Sequence, residues 1–387
     1  MADRPTYNSP NAVRRGTHVG GWREGDPVAA RKFVDIGAVE LERGGVLPSV
    51  RVAYESWGTL NAAGDNAVLI EHALTGDAHV DGPAAEGQPT PGWWDGLIGP
   101  GRYLDTDKWY VVASNVLGGC QGTTGPSSPA PDGTPWGSRF PFITIRDQVR
   151  VEALLADQLR ITKFAAVVGG SMGGMRAIEW PIMYPDRVQS SVILASTAYA
   201  TSDQIAWCAP QIAAIKSDPL WCGGDYYESG DAPTVGLGIA RSIAHVTYRS
   251  EYELATRFGR EAQPGEDPLG GGGRYAIESY LDHHRDKLVG RFDAGSYVVL
   301  TESMNSHDIG RGRGGLAAAL AKVTAQLHIV AVNTDRLYPV RLSEELAKFA
   351  PKGKNDLTIL DSPYGHDGFL IELDMIGAII KNALGAD

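Results

Sequence analysis

Short apolar runs with no alternating polar face recur along this chain, and they limit what it can fold into. Ala67-Val68-Leu69-Ile70, Trp109-Tyr110-Val111-Val112-Ala113, Phe164-Ala165-Ala166-Val167-Val168, Val192-Ile193-Leu194-Ala195, Leu327 to Val332 and Leu357 to Leu360 are bounded by Gly, Ser, Asn or Asp. A strand of this kind must be covered on both faces, which is how helices cover parallel strands. Amphipathic patterns lie between the runs. Thr144 with Asp147 resembles a capping box, and Val151, Leu154, Leu155 and Leu159 then form a stripe at helical spacing. Phe369, Leu373, Ile376, Ile380 and Leu384 form another near the C-terminus. This order predicts an α/β fold, a mostly parallel, doubly wound sheet.

The pattern lapses over residues 198–320, which are rich in Trp, Tyr, charges and helical stretches such as Ala240 to Tyr248. One reading is a second independent domain. Because strands resume at Leu327, the better reading is a helical subdomain inserted into a core formed by residues 32–197 and 321–387. Gly270-Gly271-Gly272-Gly273 would be a flexible connection. Residues 1–31 are polar and broken by Pro and Gly, so a loosely ordered segment and no signal peptide are expected. No apolar run is long enough to span a membrane.

Charge and cysteine usage narrow the function classes. A net charge of −11 argues against non-specific nucleic-acid binding. The three cysteines, Cys120, Cys208 and Cys222, cannot all pair and match no zinc pattern, so a reducing, cytoplasmic location is expected. Forty-eight of the 387 residues are glycine, against a usual share of about 7%, which implies many tight turns at strand ends.

Gly169-Gly170-Ser171-Met172-Gly173 matches G-x-S-x-G, a weak signal by itself. Its context strengthens it. A strand ends just before it and a helical stretch, Met172 to Met183, begins just after. A sharp strand-to-helix turn around a serine is a nucleophile elbow, which presents Oγ at the top of the sheet. The competing reading is a glycine turn that lets a helix cross a strand.

A serine nucleophile needs a base, and the base needs an orienting acid, in the chain order serine, acid, histidine. His245, His283, His284 and His307 lie in the expected insertion, and His328 lies inside a strand. His366 follows the last strand, between two glycines and just before a helix, where the base belongs. Asp335, just past Leu327 to Val332, is the candidate acid, although a turn aspartate is common there. Two backbone N–H groups must hold the oxyanion. Met172 and Leu74 are the candidates, Leu74 because His72-Ala73-Leu74-Thr75-Gly76 follows an early strand.

Other motifs are weaker. Gly310-Arg311-Gly312-Arg313-Gly314-Gly315 matches G-x-G-x-x-G, but no strand precedes it, so a dinucleotide fold is not expected. Its arginines could meet the phosphates of a large cofactor or simply be solvated. His283-His284 lacks companion ligands, so no metal is expected.

Several stretches together resemble the homoserine O-acetyltransferase family. They are His72 to Gly76, Asp81-Gly82-Pro83 through Gly92-Trp93-Trp94-Asp95, Asn115 to Ser128, Thr144-Ile145-Arg146-Asp147, Gly169 to Met175 and Gly365 to Leu370. The resemblance spans about residues 30–385. It implies an α/β-hydrolase fold with a helical lid, a homodimer, and transfer of acetyl from acetyl-CoA to L-homoserine on the way to methionine. It implies no bound cofactor, acetyl-CoA being a substrate, and no nucleic-acid or membrane partner. It assigns Ser171, Asp335 and His366 as the triad. It assigns Arg241, with Tyr248, to the homoserine carboxylate and Asp367 to its amino group. Ala244 stands where the resemblance leads one to expect glycine. Kinetics would be ping-pong through acyl-Ser171. Alternatives on the same fold are a homoserine O-succinyltransferase, a serine O-acyltransferase or a small-ester carboxylesterase. A non-catalytic binding protein that kept the fold is a further alternative.

Overall fold

The computed structural model describes residues 20–351, 353 and 355–385. Its strands are β1 (Lys32–Glu40), β2 (Val46–Trp57), β3 (Ala67–Glu71), β4 (Tyr110–Ser114), β5 (Phe164–Gly170), β6 (Val188–Leu194), β7 (Gln326–Val332) and β8 (Asn355–Leu360). They form one eight-stranded sheet in the order β1-β2-β4-β3-β5-β6-β7-β8. β1 pairs antiparallel with β2, and β2 antiparallel with β4; the other pairings are parallel. Each expected apolar run lies on a strand, with ends shifted by a few residues. β1 and β2 have no such run, because their solvent-facing positions carry charged and polar residues at the sheet edge.

The helices of the core are α1 (Ile145–Gln158) and α2 (Met172–Met183). Thr144 caps α1 as a full capping box: its side chain accepts from the Asp147 N–H, and Asp147 Oδ2 accepts from the Thr144 N–H at 2.9 Å. Between β6 and β7 the chain forms α3 (Ser202–Lys216), α4 (Thr234–Tyr248), α5 (Glu251–Phe258), α6 (Ala276–Val289), α7 (Ala294–Asn305) and α8 (Leu316–Leu320). After β7 come α9 (Val340–Phe349), α10 (Gly368–Ile371) and α11 (Leu373–Ala383).

The parallel strands alternate between two cores. Leu69, Val167, Ile193 and Ile329 face α1, α2 and α9 through Val149, Ile178 and Leu346. Val68, Val168, Val192 and Val330 face α11 and the Trp94 loop through Ile376 and Ile380. A third cluster joins Leu74, Met172 and Met175 to the α3–α7 helices through Leu237, Leu288 and Tyr297. That cluster places the inserted helices over the strand ends that carry the candidate residues.

Residues 1–19 of the segment expected to be loose lie outside the described residues. Over residues 20–31 most side chains are exposed or half-buried, but Trp22 and Arg31 are buried, and Arg31 Nη2 donates to Gln121 Oε1 at 2.5 Å. The Gly270–Gly273 run lies in the loop between α5 and α6, a connection within the inserted helices. Arg274 clasps it through ion pairs with Glu266 and Asp282 at 2.6 and 2.9 Å.

Candidate active site

Ser171 sits between the end of β5 and the first residue of α2, with φ 57° and ψ −120°. A non-glycine residue at positive φ is strained by about 1–3 kcal/mol, and such strain is retained where surrounding packing enforces it. Here the packing is visible. A Cβ on Gly173 would lie 2.0 Å from the Glu71 carbonyl oxygen, and one on Gly169 would lie 2.2 Å from the Gly173 carbonyl oxygen. Glycine is therefore required for α2 to press against the end of β3.

His366 and Asp335 meet on neighbouring strand-end loops. The His366 Nδ1 lies 2.7 Å from Asp335 Oδ2. Asp335 is held from its other side, where Oδ1 accepts from the N–H groups of Leu337 and Tyr338, both at 2.8 Å. A carboxylate there accepts a hydrogen bond from Nδ1–H, which keeps the proton on Nδ1 and leaves Nε2 as the acceptor. Burial alone would lower the His366 pKa, but Asp335, through charge and hydrogen bond, and Asp367 hold it above the ordinary value. Tyr338 stacks on the imidazole with ring centroids 5.0 Å apart, and Phe369 meets it edge-on at 5.4 Å. Those rings fix its plane.

The two candidate oxyanion donors flank Ser171. Met172 opens α2, and Leu74 lies in the loop after β3. Among the described residues, neither N–H donates a backbone hydrogen bond. His72 is not a competing base. Its Nδ1 contacts the Ala73 carbonyl at 2.8 Å and its Nε2 accepts the Val116 N–H at 3.0 Å. Burial, with the Arg176 charge, pushes its pKa down to about 3, so the ring is neutral.

Ser171, His366, Leu74, Arg241, Tyr248 and Asp367 line one cavity of about 200 Å³. The structure thus gathers these candidate side chains, together with Leu74, around a single space. The Arg241 guanidinium stands 5.4 Å from the Tyr248 ring centroid. Its Nε is buried with no hydrogen-bond partner among the described residues. Burial raises the Asp367 pKa, while His366, Arg249 and Arg241 oppose that. A smaller recess of about 30 Å³ also opens on Ser171, and its walls include Met175, Cys208, Met304 and Leu337.

Several residues at the site escaped the sequence reading. Arg249 places Nη1 3.3 Å from Asp367 Oδ2 while pairing with Glu253 at 2.9 Å. His245 and His284 stack at 4.0 Å on the cavity wall, beside Lys287 and Arg291. The Ala240 to Tyr248 helix is followed directly by Arg249, the one local cue available. Arg311 and Arg313 are corrected from candidate phosphate ligands to structural cations. Arg311 pairs with Glu42 at 2.8 Å and Arg313 with the buried Glu179 at 2.7 Å. Among the described residues, no cluster of His, Cys, Asp and Glu could hold a metal ion, and no helix is long and apolar enough to cross a membrane.

Known proteins resemble this chain in sequence and fold. A family model described as the alpha/beta hydrolase fold matches residues 66–373. The homoserine O-acetyltransferase of Thermobifida fusca is 58% identical over 367 residues, covering 94% of this chain and 96% of that protein. The crystal structure of homoserine O-acetyltransferase from Bacillus anthracis superposes with a TM-score of 0.84 at 26% identity, covering 92% of this chain and 98% of that one. The crystal structure of esterase E22 superposes with a TM-score of 0.82 at 28% identity, covering 92% and 99%.

Proposed function

The chain belongs to the homoserine O-acetyltransferases, acyltransferases with the alpha/beta hydrolase fold, and from that premise we propose that it moves acetyl from acetyl-CoA to the hydroxyl of L-homoserine through acetyl-Ser171, as a step in methionine biosynthesis. One observation carries the proposal: a single cavity joins Ser171 and the Asp335-paired His366 to a guanidinium and a carboxylate. A hydrolase needs only the first half of that arrangement. An α-amino acid acceptor needs all of it, because it presents one carboxylate and one ammonium.

In the first half-reaction His366 Nε2 takes the proton of Ser171, whose Oγ attacks the thioester carbon. The N–H groups of Leu74 and Met172 hold the resulting oxyanion. The carbon–sulfur bond breaks, and the thiol leaves with the proton from His366. In the second half Arg241, beside Tyr248, holds the homoserine carboxylate in a two-bond fork. Asp367 pairs with the ammonium and aims the hydroxyl at His366. His366 deprotonates that hydroxyl, which attacks acetyl-Ser171, and the proton returns to Ser171 as the ester leaves. Asp335 stays ionised throughout.

Two features support acetyl as the group carried and transfer as the outcome. The recess beside Ser171 has no cation in its lining, so a succinyl carboxylate entering it would meet Gln204, Gln211 and Asn305 but no opposite charge. Residues 198–320 form the proposed lid, whose α4 and α6 supply Arg241, His245, Tyr248 and His284 to the cavity wall. Covering the acyl-enzyme in this way excludes water, the condition for transfer over hydrolysis. The likeness to esterase E22 is the specific observation behind the rival reading, a small-ester carboxylesterase.

Arg241→Ala separates these readings. Removing one partner of a buried charge interaction costs about 2–5 kcal/mol, or roughly 30-fold and upward in affinity. We expect the KM for L-homoserine to rise by that factor, while acetylation of Ser171 by acetyl-CoA proceeds at its normal rate. An unchanged KM rules out the carboxylate role.

The homodimer is proposed on the inserted helices. Val235 and Ile239, about one turn apart on α4, are 68% and 47% exposed, and Ile205 of α3 is 39% exposed. Apolar side chains this exposed are candidates for cover by a second copy. Sedimentation should give twice the chain mass, and Ile205→Glu with Val235→Glu should give a monomer; a monomeric parent protein contradicts the proposal. Cys120, Cys208 and Cys222 are unpaired, which supports a reducing, cytoplasmic compartment.

A further inference from the structure

A charge cluster lies beneath Ser171 that neither half-reaction uses. Arg176, one turn into α2, is fully buried. Its Nη1 donates to Glu152 Oε1 of α1 at 2.5 Å, and its Nη2 donates to the His72 carbonyl at 2.6 Å. Its Nε stands 3.4 Å from Glu71 Oε2, at the end of β3. Trp180 Nε1 donates to the other Glu152 oxygen at 3.0 Å. One guanidinium does not balance two buried carboxylates. Glu71 is the one that gives way: burial first, then the Glu152 charge, push its pKa well above the carboxylate range. Among the described residues, neither of its side-chain oxygens accepts a hydrogen bond. The close ion pair of the cluster is Arg176 with Glu152.

A buried pair of this kind is a weak source of stability, since apolar side chains of similar volume often do as well. Its geometry suggests another task. The Arg176 guanidinium bridges the helix that starts at Met172 to the backbone of His72. From there His72 extends the brace, with its ring held between the Ala73 carbonyl and the Val116 N–H. Leu74 is two residues further along that loop. Gly173 presses on the Glu71 carbonyl in the same seam, so the contact between α2 and the β3 end is steric at one point and polar at the next.

We propose that Arg176 is a positioning residue that locks the Leu74 loop to α2, so that the Leu74 and Met172 N–H groups converge on one oxyanion. This rests on the proposed role of those two groups. A small misplacement of a preorganised donor costs about 10²-fold in rate, because the oxyanion exists only in the transition state. Losing the brace should therefore lower kcat and spare ground-state binding of the acceptor.

The test compares Arg176→Met, Arg176→Lys and the double variant Arg176→Met with Glu152→Gln. Arg176→Met alone strands the Glu152 charge and can unfold the protein. The double variant removes both charges and leaves an amide oxygen at position 152 to accept from Trp180, so it keeps the test decisive. In the folded double variant kcat and the rate of Ser171 acetylation should fall about 100-fold, with the KM for L-homoserine within about threefold. Arg176→Lys, which reaches one partner at a time, should recover part of the rate. Near-normal kcat in the folded double variant overturns the proposal, and so does an equal rise in KM. Ser171→Ala run alongside separates the two ideas: if it still forms an acetyl-enzyme, the reading of the site itself is wrong, whatever Arg176 does.

Discussion

Ser171→Ala should form no acetyl-enzyme and lose transfer by at least ~10⁴-fold, measured as steady-state turnover with acetyl-CoA and L-homoserine at saturation. The size of the loss follows from where the catalytic work resides. Two half-reactions share one nucleophile, so removing Oγ ends both at once. His366, Asp335 and the two N–H donors remain, but no acyl-enzyme can form for them to act on. Residual turnover would come from binding donor and acceptor side by side, with the homoserine hydroxyl attacking the thioester directly. The backbone at position 171 lies at φ 57°, and alanine is no better suited to it than serine. The variant should therefore fold, and its defect should be chemical. Near-normal transfer by Ser171→Ala would mean direct transfer with no covalent step.

Asp335→Asn should lower kcat by about 10⁴-fold while leaving the fold intact. The carbonyl oxygen of the introduced amide can keep the two bonds from Leu337 and Tyr338 that Asp335 Oδ1 now accepts. The NH₂ group of that amide then faces His366 Nδ1, where Oδ2 stands at 2.7 Å. A donor at that place forces the imidazole to carry its proton on Nε2, and the base is lost. The pH dependence carries a second signature. His366 works as a base only when neutral, so acetylation of Ser171 falls as pH drops through its pKa. Asp335 raises that pKa against burial, with Asp367 contributing. In the parent protein the midpoint of that loss should therefore lie above the ordinary histidine value. In Asp335→Asn the main raising cause is gone, and the midpoint of the residual rate should move down. A midpoint that stays in place would show that Asp335 does not control His366.

The features read most reliably from the sequence are those whose cause is local. The apolar runs at β3 to β7 are buried almost throughout, so their composition reports their environment, whereas β8 ends the sheet and leaves Ile359 exposed. The Thr144–Asp147 box acts within a single turn, and Ser171 stands between a strand and a helix that its own neighbours dictate. The His366–Asp335 contact joins loops after consecutive strands, which a parallel sheet brings together. Features with distant causes were not legible. β1 ends the sheet and β2 lies just inside it, both with many exposed or half-buried positions, so their composition gives no apolar run to read. Arg311 and Arg313 looked free because their partners, Glu42 and Glu179, lie far away in sequence. Arg249, His72 and Arg176 acquire their positions through contacts across β3, α2 and α4. Only the fold reveals that one arginine reaches both a helix and an oxyanion loop.

Both half-reactions pass through the covalent intermediate on Ser171, which intact mass detects. The protein is mixed with acetyl-CoA alone and weighed, then L-homoserine is added and it is weighed again. The chain should gain one acetyl group, mapped to Ser171, that persists in water and is discharged by L-homoserine to the O-acetyl ester. No gain in mass while acetyl transfer proceeds would contradict the two-step mechanism, and an acetyl group lost to water as fast as to L-homoserine would make this protein an esterase.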